Sequence, residues 1–200
     1  MSVKILLING SPKKDGNTFY LLDSLEKKIN TYGVETKMVF LNDALMKLKN
    51  PFCICCSSPC NKSCYKDTEF EEILNNAVDA DAIVFGSPVY FGSMSAQMKA
   101  FFDKLRDVRA KKGFLGKIGC AVSVGATKYG GQENTVRAMH DCMLVMGMTL
   151  IGDSSNAFGG GHFGLCAHQP SKDDEYAEKR VEFLADRLVS EAKKNASLKQ

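Results

Sequence analysis

Five cysteines within twelve residues are the most concentrated group of reactive side chains in the sequence. The stretch can be read as Cys53-x2-Cys56-x3-Cys60-x3-Cys64, with Cys55 as an additional thiol. Iron-sulfur clusters take four thiolates from compact spacings of this kind. Zinc also accepts four thiolates, but its sites usually pair two short knuckles on separate turns. The spacing therefore favours a cluster over zinc, and both over a disulfide framework.

Two loops with the same opening, glycine-serine-proline, follow apolar runs of strand length and precede helical patterns. The first begins at Gly10 and the second at Gly86. In a parallel α/β sheet, ligands bind outside the carboxyl ends of the strands. The first loop offers the converging N–H and hydroxyl donors that a phosphate needs at a helix N-terminus, and it lacks the Walker ending and the dinucleotide fingerprint. An ordinary tight turn is the alternative. Its candidate phosphate-binding residues are Ser11, Pro12, Lys13, Gly16, Asn17 and Thr18.

The second loop is suited to a flat ring system. Pro88 stiffens the chain, Tyr90 and Phe91 offer planar faces, and Gly92 allows a large ring such as an isoalloxazine to approach closely. The alternative is that both aromatic residues belong to the core. A third loop, at the end of the fourth predicted strand, either closes over the same ring or is a glycine-rich connector. The candidate ring-binding residues of the two loops are Pro88, Val89, Tyr90, Phe91, Gly92, Ser93, Gly125, Thr127, Tyr129, Gly130 and Gly131.

Strand and helix patterns alternate along the chain, which indicates a doubly wound parallel sheet. Predicted strands cover residues 4–9, 35–41, 82–86, 118–124 and 148–151, and predicted helices begin near residues 18, 69, 95, 134 and 173. We expect a single α/β domain over residues 1–200, a flavodoxin-like five-stranded sheet of order 2-1-3-4-5 with helices on both faces, and a cysteine-rich loop over residues 51–68 after strand 2. The switch point between strands 1 and 3 places both glycine-serine-proline loops at one crevice.

The composition excludes several classes of partner. The chain has 26 basic and 23 acidic residues, a net charge of +3 that is too small and dispersed for a nucleic-acid binder. The opening apolar run is too short for a signal peptide or a membrane span. We therefore expect a cytoplasmic protein with neither nucleic acid nor membrane as its partner.

The residues quoted above also carry a family resemblance that covers nearly the whole chain. The sequence resembles the NAD(P)H-dependent FMN reductase-like flavoproteins, and within them the iron-sulfur flavoproteins, through residues 10–18, residues 86–105 and Gly130-Gly131-Gln132-Glu133. The resemblance implies that FMN is the flavin and that the protein is a homodimer or homotetramer with the flavin near a subunit boundary. It places the phosphate of FMN on Ser11, Lys13, Asn17 and Thr18, and the ring and ribityl chain on residues 88–93.

The same resemblance implies that the cysteine-rich loop holds a 4Fe-4S cluster. In iron-sulfur flavoproteins the first three cysteines are usually two residues apart, whereas here Pro59 stands at the third position and Cys60 follows. The expected ligands are Cys53, Cys56, Cys60 and Cys64, with Cys55 as the substitute.

FMN exchanges electrons in pairs or singly, so it can link a two-electron donor to a one-electron cluster without a general base. The sequence predicts a flavin-dependent oxidoreductase that passes electrons from ferredoxin or NAD(P)H to a small acceptor: a quinone, oxygen, peroxide or another redox protein. One alternative is an NAD(P)H-dependent FMN or quinone reductase without a cluster. Alternatives from other classes are a non-catalytic electron carrier and a zinc-stapled interaction domain.

Overall fold

A computed structural model describes residues 3–155 and 159–198. In that part of the chain the elements are, in order, β1 (Lys4–Asn9), α1 (Asn17–Asn30), β2 (Glu35–Phe40), α2 (Leu41–Met46), α3 (Glu69–Asp79), β3 (Ala82–Pro88), α4 (Ala96–Asp103), α5 (Arg106–Ala110), β4 (Ile118–Gly125), α6 (Gln132–Val145), β5 (Thr149–Leu150), β6 (Leu165–His168), a 3-10 turn (Ser171–Asp173) and α7 (Glu175–Leu198). None of these helices combines the length and the apolarity needed to cross a bilayer.

The sheet is parallel and its order is β2-β1-β3-β4-β5, which confirms the predicted flavodoxin-like topology. The structure adds β6, which the sequence analysis did not predict. β5 pairs with Ile118 and Gly119 at the start of β4, and β6 pairs with the segment Val122–Gly125 at its end. Since β3 occupies the other edge of β4, β5 and β6 together act as one interrupted fifth strand.

Side chains of the central strands are buried on both faces of the sheet, as expected of parallel strands covered by helices. In β1, Leu6 and Ile8 join the core cluster that contains α3, α4 and α6 residues. Ile5 and Leu7 point into the second cluster, which α1 and α7 cover. The carboxyl edge of the sheet is left to the loops, and every candidate phosphate- or ring-binding residue lies there.

The predicted helix after the second loop is divided into α4 and α5. Ser95 caps α4 by accepting a hydrogen bond from Met98 N at 3.1 Å. The chain then tightens, because Lys104 N bonds to the carbonyls of both Ala100 and Phe101. The break at Lys104 places its side chain in the interior, where it is 2 % exposed. Helix α2, within the segment read as irregular, was also not predicted.

Candidate flavin and cysteine site

The first two loops are joined at their bases by backbone contacts. Gly10 N donates to Gly86 O at 2.8 Å, and Ser95 Oγ donates to Gly10 O at 2.6 Å. A Cβ on Gly10 would lie 2.9 Å from Met98 Cε and 3.1 Å from Gly86 O, so any side chain there would force the loops apart. The glycine at this position therefore follows from the close approach of two strand ends.

The first loop gathers polar groups at the N-terminus of α1. Ser11 N donates to Asn9 Oδ1 at 2.8 Å, while Asn9 Nδ2 is buried without a partner in the described structure. The N-cap, Gly16, forms no side-chain capping bond, so the first N–H groups of α1 stay available to a ligand. Thr18 is buried beneath them. A helix N-terminus with spare donors of this kind suits a phosphate group.

Ser171, which the sequence analysis missed, joins the same loop from the other end of the chain. Its backbone N donates to Asn17 Oδ1 at 2.9 Å, and its hydroxyl is fully buried without a hydrogen-bond partner in the described residues. A separation of 154 residues hides this contact from local pattern. The Ser171 hydroxyl and the Asn9 amide are therefore two donors in this region that no described residue satisfies.

The two lysines of the first loop differ. Lys14 forms an ion pair with Asp43 of α2, whereas Lys13 forms none with any described residue. Hydrogen bonding to Lys14 lowers the pKa of the Asp43 carboxyl. Lys13 is exposed, and its backbone N donates to Ser11 Oγ at 3.1 Å. The geometry therefore leaves Lys13, not Lys14, as the lysine available to an anion.

The second loop is a tight hairpin that extends from the end of β3. Tyr90 N donates to Ser93 O at 2.9 Å, and Ser93 N donates to Tyr90 O at 3.1 Å. Phe91 and Gly92 lie between them at φ of 50° and 75°, which is the backbone of a two-residue hairpin turn. Tyr90 is 43 % exposed and Phe91 fully exposed, so neither is a core aromatic residue. The loop thus presents two aromatic rings to solvent at the carboxyl edge.

The other residues of this loop are anchored to the sheet. Val89 N donates to Val124 O at 2.9 Å. Ser87 Oγ donates to Pro88 O and accepts a bond from Ser95 N, both at 2.9 Å. The base of the loop is therefore held to the sheet by these hydrogen bonds.

Gln132, the first residue of α6, organises the third loop. Its Nε2 donates to Thr127 O at 2.6 Å and to Ala167 O of β6 at 3.2 Å. A Cβ on Gly125 would lie 2.6 Å from that nitrogen, which explains the glycine at the end of β4. Gly130 N closes the turn onto Thr127 O at 3.1 Å, and Tyr129 is exposed above it.

Gly131 brings the second and third loops into contact. It has φ of +93°, and a Cβ there would lie 3.3 Å from Gly92 Cα. The second and third loops therefore touch, and the first is bonded to the base of the second. The structure brings all seventeen predicted phosphate- and ring-binding residues to one edge of the sheet, on three connected loops. Spare donors at one end and exposed aromatic rings at the other fit the phosphate and the ring of FMN.

A cleft of about 710 Å³ lies on the far side of the third loop, over β6 and the start of α7. At its floor Arg180 Nε donates to Asp153 Oδ2 at 2.6 Å, and this bond raises the pKa of Arg180. His162 Nδ1 lies 3.4 Å from the same carboxylate. Both Asp153 and Arg180 are buried, and the cleft is large enough for a small organic molecule.

The cysteine-rich loop connects α2 to α3 and has an irregular path. Cys55, Lys62 and Asp67 all have positive φ, at 52°, 64° and 59°. Residues other than glycine rarely adopt this conformation, and groups of residues that do are typical of functional segments. The thiols of the loop are free; Cys55 and Cys56 are exposed, and Cys53, Cys60 and Cys64 are half-buried.

Two cations face these thiols. Lys104 Nζ lies 3.6 Å from Cys64 Sγ, and Arg106 Nη1 donates to Ser57 O at 3.0 Å. Burial raises the pKa of Cys64, which Lys104 partly offsets. The pKa of Arg106 is raised, chiefly by the charge of Cys55. Free thiols bordered by cations suit an anionic thiolate-bound centre.

The thiols are nevertheless not assembled into a closed site. In the part of the chain that the structure describes, no three histidine, cysteine or acidic side chains are close enough together to hold a metal ion. The donor chemistry of the loop fits an iron-sulfur cluster, and its ligands would have to converge when one binds.

The chain is similar to proteins of known family over most of its length. The family model described as NADPH-dependent FMN reductase matches residues 3–163. An iron-sulfur flavoprotein of Methanocaldococcus jannaschii is 37 % identical over 86 % of this chain and 89 % of its own length. The iron-sulfur flavoprotein of Methanosarcina thermophila is 33 % identical over 93 % of both chains.

The fold has counterparts among solved structures. The crystal structure of a protein described as a flavodoxin, WrbA-like protein, from Agrobacterium tumefaciens superposes with a TM-score of 0.71, over 98 % of this chain and 99 % of that chain. Its sequence is 15 % identical, so the likeness concerns the fold.

Proposed function

Because the chain belongs to the NADPH-dependent FMN reductase family, and within it to the iron-sulfur flavoproteins, we propose that it is an FMN-dependent iron-sulfur oxidoreductase. It passes electrons between NAD(P)H or ferredoxin and a small acceptor such as a quinone. The observation that carries the proposal is the combination of three connected loops at one sheet edge with a five-thiol loop bordered by Lys104 and Arg106.

The loops divide the work of binding FMN. The N-terminus of α1, with Ser11, Thr18 and the unpaired hydroxyl of Ser171, would hold the phosphate. The tip of the second loop and the third loop, which meet at Gly92 and Gly131, would border the ring. When bound, FMN supplies the exchange between electron pairs and single electrons. The protein's own part is to orient the flavin and to exclude water from the ring.

The cysteine loop would supply the second redox centre. We propose Cys53, Cys56, Cys60 and Cys64 as the ligands of a 4Fe-4S cluster, with Cys55 as the substitute. A small acceptor has room in the cleft above Asp153 and Arg180, beside the third loop. We also propose a homodimer or homotetramer, for which the family resemblance is the support.

Removing single thiols tests this proposal. Cys56→Ala and Cys60→Ala should lose iron and acid-labile sulfide from anaerobically purified protein while retaining FMN. Cys142→Ala is the matched control, because Cys142 is a partly buried free thiol of α6 outside the loop; it should retain all three. Full iron and sulfide in both loop variants would contradict the cluster assignment.

A second candidate is an NAD(P)H-dependent FMN or quinone reductase that has no cluster. The observation in its favour is that the thiols of the described loop are not gathered around a common point. Such a protein would oxidise NADPH with benzoquinone at full rate after anaerobic treatment with an iron chelator. A cluster-dependent enzyme would lose turnover with one-electron acceptors under the same treatment. A non-catalytic carrier would turn over with neither.

A further inference from the structure

Lys104 is a buried cation for which the described protein offers no anionic partner. Its side chain lies at the break between α4 and α5 and is 2 % exposed. Its Nζ is 3.6 Å from Cys64 Sγ and 5.9 Å from the centre of the Phe70 ring. No carboxylate of the described residues forms an ion pair with it. Burying an ammonium without a compensating charge is costly, and the described residues supply no such charge to Lys104.

Tyr65, close to Lys104, has a buried hydroxyl without a hydrogen-bond acceptor in the described structure. Its side chain is 2 % exposed, and its hydroxyl has no hydrogen-bond partner among the described residues. Its ring contacts Phe70 edge to face at 5.6 Å, the same ring that lies under Lys104. Within the described part of the chain, a buried ammonium without an anionic partner and a buried hydroxyl without an acceptor thus lie together on the inner side of the cysteine loop.

We propose that Lys104 is the internal counter-ion of the cluster that the cysteine loop binds, acting through a hydrogen bond to Cys64 Sγ, with the Tyr65 hydroxyl as a second donor. This inference rests on the proposed function. Lys104 is a positioning residue and not a ligand: it holds Cys64 against the protein interior and places a positive charge next to the cluster. A cluster with four thiolates is anionic. It supplies the negative charge that Lys104 lacks and the acceptor that the Tyr65 hydroxyl lacks.

The arrangement has a consequence for the reduction potential. Reduction adds one electron, and hence one negative charge, to an anionic cluster. A nearby cation and hydrogen bonds to sulfur favour the reduced form and raise the potential. Arg106 is half-buried at the surface, where solvent screens its charge, whereas Lys104 is enclosed. Lys104 should therefore affect the potential more than its neighbour.

The test compares Lys104→Met with Lys99→Met. Both remove one positive charge from α4 or its C-terminal end, but Lys99 is exposed and pairs with Asp103 at 2.6 Å. After anaerobic loading with iron and sulfide, the potential is measured by a redox titration followed by electron paramagnetic resonance. We expect a more negative potential in Lys104→Met, the wild-type value in Lys99→Met, and recovery toward the wild-type value in Lys104→Arg. Tyr65→Phe should shift the potential in the same direction by less.

The possible results distinguish a failure of the inference about Lys104 from a failure of the proposed function. Loss of iron from Lys104→Met with FMN still bound also supports the inference, because it shows that the counter-ion is needed to hold the cluster. A fully loaded Lys104→Met with an unchanged potential overturns it. If that variant does not fold, Lys104→Gln takes its place, and an unchanged potential in fully loaded Lys104→Gln overturns the inference. An unchanged potential in Tyr65→Phe overturns the donor role of Tyr65. Wild-type protein that takes up neither iron nor sulfide refutes the proposed function, and this inference with it.

Discussion

Replacing Gly131 by alanine should weaken FMN binding through the contact between the second and third loops. Gly131 has φ of +93°, and an added Cβ would lie 3.3 Å from Gly92 Cα. Holding an L-residue in the left-handed region costs about 1–2 kcal/mol. The neighbouring atom belongs to the backbone of a tight hairpin, so it cannot move aside as a flexible side chain would. The strain is relieved when the third loop withdraws from the second.

The magnitude follows from the same strain. If the bound state requires the loops in contact, a cost of about 1–2 kcal/mol corresponds to a roughly 5–30-fold increase in the dissociation constant of FMN. Gly33→Ala is the matched control. Gly33 also has a positive φ, +67°, but it lies after α1 and a Cβ there would have no neighbour within 4 Å. It should lose a similar amount of unfolding free energy without any change in FMN affinity.

Titration of FMN into flavin-free protein, followed by the quenching of flavin fluorescence, measures the affinity. Urea unfolding of both variants measures the stability. Equal dissociation constants for wild-type protein and Gly131→Ala, combined with a loss of stability in that variant, would refute the reasoning. The third loop would then not border the flavin.

Three further predictions concern buried groups. Arg180→Met leaves the buried Asp153 carboxylate without its guanidinium partner, so urea unfolding should show a loss of about 3–5 kcal/mol; a change below 1 kcal/mol would argue against a buried ion pair. In cluster-free protein, Tyr65→Phe removes an unpaired hydroxyl and should raise the unfolding free energy by about 1–3 kcal/mol; a fall in the unfolding free energy would contradict an unpaired hydroxyl at this position. Burial raises the pKa of Cys120 from 9.0 to about 12, so the folded protein keeps this thiol protonated at a higher pH than the unfolded chain does. The contribution of this thiol to the unfolding free energy is fully present below pH 9 and is lost as the pH rises toward 12. The unfolding free energy of Cys120→Ala, measured with urea, should therefore fall less steeply over that range than that of the wild-type protein. The same pH dependence in both proteins would contradict the raised pKa of Cys120.

The order and approximate limits of the main strands could be predicted from the sequence, because the buried strands of this fold coincide with short apolar runs. The strands β1, β3 and β4 are apolar on both faces and end at glycine or proline turns, so their limits are visible in local pattern. Strand β6 was missed because its four residues follow a glycine-rich stretch, and its pairing with β4 depends on a partner about forty residues away. The break after α4 was missed because its apolar stripe continues into α5.

The sequence predicted which loops form the candidate site, but not the contacts that join these loops to the rest of the protein. Glycine, proline and aromatic residues at strand ends indicated a ligand edge. The roles of Ser171 and Gln132 depend on contacts with distant residues, which no local pattern reveals. The burial of Lys104 is not visible in the sequence for the same reason: the lysine stands in a stretch rich in charged residues, and the cysteine loop encloses it by packing against the end of α4.

The most direct test of the proposed function is a visible spectrum of anaerobically purified wild-type protein, with FMN, iron and acid-labile sulfide assayed on the same sample. We predict flavin bands above a broad brown absorbance, together with iron and sulfide in equal amounts. Flavin bands without iron or sulfide would contradict the two-centre assignment and leave a simple flavin reductase, and a colourless protein would contradict the flavin as well.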